Sequence, residues 1–457
     1  MEGVKEIVEK QREFADKGDS KNVSFRIQLL LKLKKVLKEN EQELNEAIYK
    51  DVKKSAFETY LTELSVVYHE IDFAVKNLKK WAKPVRVKTG IANFPASSKI
   101  IHEPLGTTLI IGAWNYPYQL VLNPAVAALA AGNAAILKPS ELPSTTSNVL
   151  EKIINQNFDS SYLHVMKGSV ELTTELLKYS YGKICFTGST QVGKIIATAA
   201  AQTLTPTLLE LGGKSPCFVF PDTNLKLAAK RIAWGKFINS GQTCIAPDYL
   251  YVHDSVYNEF LEELKIQTQL VVGPTPKESE SFIRIINNKN FNRLKNLIDP
   301  AKIFYGGDLD EKESYISPTI LKDVNWGDVC MQEEIFGPIL PVLKFSEIDN
   351  AINEVKRGPR PLALYLFTSD KRIQDKILNE VSFGGGAIND VVMHFTNNYL
   401  PFGGVGQSGM GNYHGKHGFL SFSHQKSILK KQLWFEPSIK YAPYTSWKLK
   451  FSKLIFG

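Results

Sequence analysis

The chain has 457 residues, enough for about three domains of ordinary size and for large hydrophobic cores. At 43% hydrophobic and 22% charged it sits with globular proteins, which excludes disordered, collagen-like and disulfide-scaffold classes. The net charge of +8 is spread along most of the sequence and does not favour nucleic-acid binding. Cys185, Cys217, Cys244 and Cys330 are widely spaced, with no CxxC and no clustered histidines, so neither a disulfide framework nor a metal site is expected. The N-terminus has mixed charge and lacks the apolar core of a signal peptide, so a reducing, cytoplasmic setting is expected.

In chain order, residues 1–82 carry apolar residues at helical spacing (Phe25, Leu29, Leu33, Val36, Leu37) among many charges, which predicts surface helices packed by one face. No charge occurs between Glu103 and Lys138, but Pro104, Asn115, Pro117, Pro124 and Gly132 interrupt that run. It reads as buried strand, loop and helix rather than as a membrane span. From about residue 98, β-prone runs alternate with helical patterns: KIIHE, TTLIIG, a helix near 119–131, AAIL, a helix near 143–157, YLHVM, KICFT, a helix near 191–201 and TLLEL. A second alternating set follows, with CFVF, a helix near 224–238, DYLYVH, a helix near 255–268, ALYLFT and a helix near 370–379. Alternation of this kind predicts two α/β domains with parallel sheets and crossover helices.

Two glycine patterns need weighing. Gly404, Gly406 and Gly409 fit GxGxxG but follow the turn-like NYLPF and leave no room for a βαβ unit, so they predict a loop. Gly188–Lys194 follows KICFT and opens a helix as a P-loop does, yet position 195 is isoleucine where that motif needs a hydroxyl. A strand feeding a glycine turn into a helix N-terminus still presents free N–H groups to an anion such as a pyrophosphate. A plain tight turn accounts for this segment equally well. Cys244, in INSGQTCIAP, has small polar flanks that favour an exposed backbone N–H beside the sulfur; Cys185, Cys217 and Cys330 read as small buried hydrophobes. Glu210, between apolar residues and a Gly-Gly turn, is either an ordinary strand glutamate facing solvent or, among apolar neighbours, a carboxylate with a raised pKa that can act as a base. Asn115, after a buried strand, can aim its amide at a developing oxyanion, or can simply be a loop residue.

These segments occur together and in order: AWNYP at 113–117, KPSE at 138–141, FTGST at 186–190, LELGGKSP at 209–216, GQTC at 241–244 and EEIFGPI at 333–339. From about residue 25 to 435 the sequence resembles the aldehyde dehydrogenase superfamily. NDVVMH, LPFGGVGQSGMGNYHGKHGF and SFSH are similar to its class 3 branch, which includes fatty aldehyde dehydrogenases. The resemblance implies an α/β fold of two doubly wound parallel-sheet domains with a small β arm. Its divisions would be a cofactor domain at 1–83 and 101–210, a catalytic domain at 211–420, an oligomerisation arm at 84–100 and 421–434, and an amphipathic tail at 435–457.

It also implies NAD(P)-dependent oxidation of apolar aldehydes to acids in a homodimer, the aldehydes being medium or long aliphatic, aromatic or isoprenoid. Cys244 would be the nucleophile, Asn115 and the Cys244 N–H the oxyanion donors, and Glu210 the base that activates water. Lys138 and Glu141 would hold the adenosine ribose, and the turn Gly188, Ser189, Thr190, Gln191, Val192 and Gly193 would lie near the pyrophosphate. Trp114, Leu211, Glu334 and Phe336 would complete the cofactor site, with Thr187 and His414 assisting. A carboxylate at 141 favours NAD, and the adjacent lysine leaves NADP acceptable. A CoA-acylating enzyme and a non-catalytic binding protein on the same fold are the rivals; retention of Glu210 weighs against the first and the Asn115, Glu210 and Cys244 set against the second. In SWKLKFSKLIFG, Trp447, Phe451, Leu454 and Ile455 fall on one helical face, so a peripheral membrane contact, a lid over a partner's tunnel and a docked tail all remain open.

Overall fold

The N-terminal helices form because each has one apolar stripe to bury. In Val23–Glu39 that stripe is Leu29, Leu30, Leu33, Val36 and Leu37, and the Asn22 side chain caps the helix by accepting the Ser24 N–H. The computed structural model describes residues 3–279 and 281–456. A six-stranded sheet runs, from edge to edge, Gly409–Met410, Thr207–Glu210, Lys183–Thr187, Thr107–Ile111, Ala134–Lys138 and Leu163–Val165, all parallel except the first. Thr107–Ile111 and Ala134–Lys138 are buried along their whole length, as central parallel strands covered on both faces must be. The helix Gln119–Ala131 between them is likewise buried all round, which explains the uncharged run after Glu103. It stops at Gly132, whose φ of 92° suits a residue without a Cβ.

The second sheet runs Ile303–Tyr305, Thr319–Leu321, Ile339–Phe345, Tyr249–His253, Pro216–Val219, Ala363–Phe367 and Gly385–Ile388, with only the first strand antiparallel. A separate antiparallel sheet pairs Val85–Val87, Ala96–Pro104 and Ser423–Lys431. KIIHE therefore belongs to this arm and not to the parallel sheet, and the arm strand continues past residue 100: its side chains are only half-buried, where a central parallel strand is buried on both faces. The boundary expected at 420 also falls late. Gly409–Met410 already pairs with Thr207–Glu210, and the helix Gly415–Ser421 packs on Gln119–Ala131.

The tail helix Ser446–Phe456 exposes Trp447, Phe451, Leu454 and Ile455, but it also exposes Leu449, about 200° around the helix from Trp447. Four of these five thus fall within an arc of about 100°, and Leu449 stands off it. Among the described residues no helix is long and apolar enough to cross a membrane.

One buried ion pair ties the helical layer to both sheets. Lys54 and Glu63 are 0% exposed and 2.8 Å apart, and Glu63 sits in a π-helical turn, Tyr60–Leu64. Glu63 Oε2 accepts the Tyr118 N–H at 2.8 Å, at the start of the buried helix. Lys54→Ala leaves that carboxylate uncompensated, so a loss of about 3–5 kcal/mol is expected in a urea or thermal unfolding series; a change within 1 kcal/mol (roughly, the range of an exposed pair) would show that the pair is not structural.

Candidate active site

The order of the first sheet places Thr107–Ile111 between the strand that follows it in sequence and one that comes much later, Lys183–Thr187. The crevice at such a switch point opens beyond the C-terminal ends of the strands. Those ends carry Trp114 and Asn115, Lys138 and Glu141, Thr187 and the Gly188–Val192 turn, and Glu210 with Leu211. The second sheet meets them with its N-terminal edge: Cys244 precedes Tyr249–His253, and Glu334 and Phe336 precede Ile339–Phe345. All these residues line one cleft of about 820 Å³.

The cleft fits a dinucleotide. Ser189 caps the helix Thr190–Gln202, its hydroxyl accepting the Val192 N–H at 3.3 Å, so the positive end of that helix opens on the cleft. Lys138 is buried and holds Glu141 at 2.9 Å. Partial burial works against the Glu141 charge, yet the lysine hydrogen bond and its own backbone N–H keep the carboxyl below the usual range. Trp114 and Phe336 meet edge to face at 5.4 Å. A Cβ at Gly212 would lie 2.0 Å from Glu334 Oε2, so a side chain there would have to displace that carboxylate. Burial, then the charge of Asp248, pushes the Glu334 carboxyl up to about 8 against the Gly213 N–H and the Lys214 and Arg293 charges.

At the inner end, the loop before Cys244 is folded by three successive left-handed residues, Asn239 (φ 54°), Ser240 (φ 51°) and Gly241 (φ 71°). Asn239 Nδ2 donates to the carbonyls of Asn115 and Gln242, each at 3.0 Å, and Asn115 Nδ2 donates to Gln242 O at 3.0 Å. The Asn115 amide and the loop before Cys244 are thus bonded directly to one another. Burial pushes the Cys244 thiol up to about 12, with the Glu334 and Glu210 charges adding to it, while the N–H groups of Cys244 and Ile245 face the sulfur and pull the other way. Glu210 is buried, neither carboxylate oxygen has a partner among the described residues, and burial raises its pKa well above the usual value. Beyond this point lies a second, narrower cavity of about 200 Å³, lined by Leu61, Leu120, Trp234, Ile238, Val392, Met393, Phe395, Phe402 and Tyr413. Thr187, Glu210, Leu211 and Cys244 line both cavities.

Two expected site residues lie elsewhere. Gly193 is buried under the helix, where a Cβ would come within 2.6 Å of Leu211 Cδ2, so it serves close packing and not contact with a ligand. His414 lines neither cavity. Its ring stacks on Phe402 at 5.2 Å and meets Tyr413 at 4.5 Å, behind the tunnel wall, and burial lowers it to about 3. Sequence reading also passed over several residues. Tyr116 Oη bonds Thr243 Oγ1 at 2.6 Å beside the cysteine, and Glu58 accepts the Asn239 N–H at 2.8 Å. Lys236 is buried and lowered to about 8 by burial; a lysine inside the apolar run AWGKF was the visible signal.

With this geometry in view, comparison with known proteins gives the class. The chain matches the aldehyde dehydrogenase family over residues 1–428 and belongs to it. It is an oxidoreductase acting on the aldehyde group, and the apolar tunnel suits apolar aldehydes. Among relatives, it is 45% identical over 445 residues to 4,4'-diaponeurosporen-aldehyde dehydrogenase of Staphylococcus aureus, covering 97% of each chain. It is 45% identical over 438 residues to aldehyde dehydrogenase family 3 member A2 of Pongo abelii, covering 95% of this chain and 90% of that one. A solved structure described as the substrate-bound state of Staphylococcus aureus AldH superposes with a TM-score of 0.97 at 43% identity, covering 100% of both chains.

A buried thiol with a raised pKa sets a test on the free enzyme. Alkylation of Cys244 by iodoacetamide, followed by peptide mass spectrometry, should accelerate about tenfold per pH unit from about pH 7 to 9. A plateau within that range would mean that the thiolate is already formed.

Proposed function

We propose that Cys244, Asn115 and Glu210 carry out aldehyde oxidation at the point where the cofactor cleft and the apolar tunnel meet. The observation that carries this reading is that Cys244 and Glu210 line both cavities, so one carbon on the sulfur can face a nicotinamide on one side and a carboxylate on the other. The aldehyde enters along the tunnel, the Cys244 thiol gives up its proton to solvent water, and the sulfur adds to the carbonyl carbon. Asn115 Nδ2 and the Cys244 N–H hold the oxyanion that forms. When bound, the oxidised nicotinamide cofactor supplies an acceptor for hydride. The carbon left on Cys244 is then a thioester, and Glu210 takes a proton from water as that water attacks it. The C–S bond breaks, the thiolate leaves, and a carboxylic acid is released.

For the cofactor we propose NAD, with NADP tolerated. Glu141 keeps its negative charge in the cleft, which repels a 2′-phosphate, while Lys138 at 2.9 Å blunts that repulsion. For the substrate we propose medium to long aliphatic or isoprenoid aldehydes. Support comes from the tunnel wall, and from exposed Leu61 and Met393, which let a long chain run on past the cavity. The Staphylococcus relative, named as a dehydrogenase of 4,4'-diaponeurosporen-aldehyde, supports the isoprenoid class.

The arm sheet leaves Ser423–Lys431 as an edge strand flanked by exposed Leu429, Leu433 and Trp434, which supports pairing of two copies there. The unpaired cysteines support a reducing, cytoplasmic setting. The exposed apolar residues of the tail helix support a peripheral membrane contact, which cell fractionation with and without residues 446–457 tests; unchanged partitioning rejects it.

Two variants test the site. Asn115→Ala should lower kcat by about 10²–10³-fold with the fold intact, because one oxyanion donor is lost. Glu210→Gln should release one equivalent of reduced cofactor and then stall, whereas turnover at the parent rate would remove Glu210 from the base role. Aldehyde and NAD without CoA decide the CoA-acylating rival: sustained acid production excludes it.

A further inference from the structure

Three buried polar groups around the cysteine have no hydrogen-bond partner among the described residues: the Glu210 carboxylate (both oxygens), the Thr187 hydroxyl and the Tyr413 hydroxyl. Each residue is more than nine-tenths buried, and all three line the same small apolar cavity as Cys244. Burial without a partner is costly, so three such groups converging on one space call for a polar occupant. The backbone explains why they converge. Thr187 and Glu210 are direct partners across adjacent parallel strands, so they share one end of the sheet. Gly409–Met410 pairs with the other side of the Glu210 strand, and the chain then turns back through Tyr413. Tyr413 is locked there by its two backbone hydrogen bonds with Phe402, at 2.8 and 3.0 Å, and by edge contacts with the Phe402 and His414 rings.

We infer that Tyr413 and Thr187 hold the water that Glu210 activates against the Cys244 thioester. The inference rests on the roles given above to Cys244 and Glu210. The water's valences divide cleanly among the groups present. One hydrogen points to Glu210, which takes it as a proton; the other points to the Thr187 oxygen; one lone pair accepts the Tyr413 O–H. The remaining lone pair is left for the thioester carbon. The new C–O bond forms as the C–S bond breaks, with no redox change. Sequence reading placed Thr187 near the site but gave it no task, and passed over Tyr413.

The test separates acylation from hydrolysis. In Tyr413→Phe and Thr187→Val, mixed with NAD and excess aldehyde, the first equivalent of reduced cofactor should form at the parent's rate, with later turnovers about tenfold to hundredfold slower. Added hydroxylamine, which attacks the thioester without needing a held water, should restore turnover and give the hydroxamate. The inference is overturned if both variants hydrolyse at the parent's rate, or if in both the first equivalent slows as much as the later ones. Glu210→Gln in the same assay keeps the two ideas apart. If it turns over like the parent, the role of Glu210 fails; if it stalls while neither Tyr413→Phe nor Thr187→Val does, only the present inference fails.

Discussion

The ion pair between Lys54 and Glu63 is the constraint on which the geometry of the site depends. Neither side chain touches water, so each must find all its partners inside the protein. Glu63 finds them in Lys54 and in the backbone N–H of Tyr118, which fixes the residues just after Asn115. Lys54 lies 4.3 Å from the centre of the Tyr116 ring, and that tyrosine in turn holds Thr243 beside the cysteine. Glu58, four residues after Lys54, grips the Asn239 N–H of the cysteine loop. The short stretch 54–63 therefore holds one loop from each sheet. A well-packed apolar pair could give equal stability. It could not supply the carboxylate oxygen that accepts the Tyr118 N–H.

The same burial shapes the chemistry. Burial raises the Glu210 and Glu334 carboxyls and the Cys244 thiol together, the mark of a site with a low dielectric. In such a place a few oriented donors count for more than they would in water. The loop with Tyr413 and His414 is held in this spirit too. Glu70 beneath it accepts the Gly415 N–H at 2.7 Å and a bond from Asn398, and burial pushes its carboxyl up to about 7.

Much of this was legible in the sequence because it is local. Alternating strand and helix patterns located nearly every element of the first sheet within two residues, since TTLIIG, AAIL and KICFT have no other way to bury their faces. Cys244, Glu210 and Asn115 could be read from their flanks, which combine a turn, a strand end and a buried neighbour. What was not legible depends on long-range pairing. KIIHE looks like a sheet strand, but its partner Ser423–Lys431 lies some three hundred residues away. The central strand Ile339–Phe345 of the second sheet follows no clear helix pattern and was not singled out. Tyr413, Tyr116 and Glu58 carry no local mark either, because their importance lies in what the folded chain sets beside them.

The return of the chain at Gly409–Met410 has a consequence for how the molecule is assembled. The polypeptide leaves the first sheet after Glu210, builds the whole second unit, and comes back to lie against the strand it left. The second unit is in effect an insertion, tethered at both its entrance and its exit. Hinge opening about a single linker is thereby barred, and neither unit can be cut out at one peptide bond without taking away a strand that the other needs.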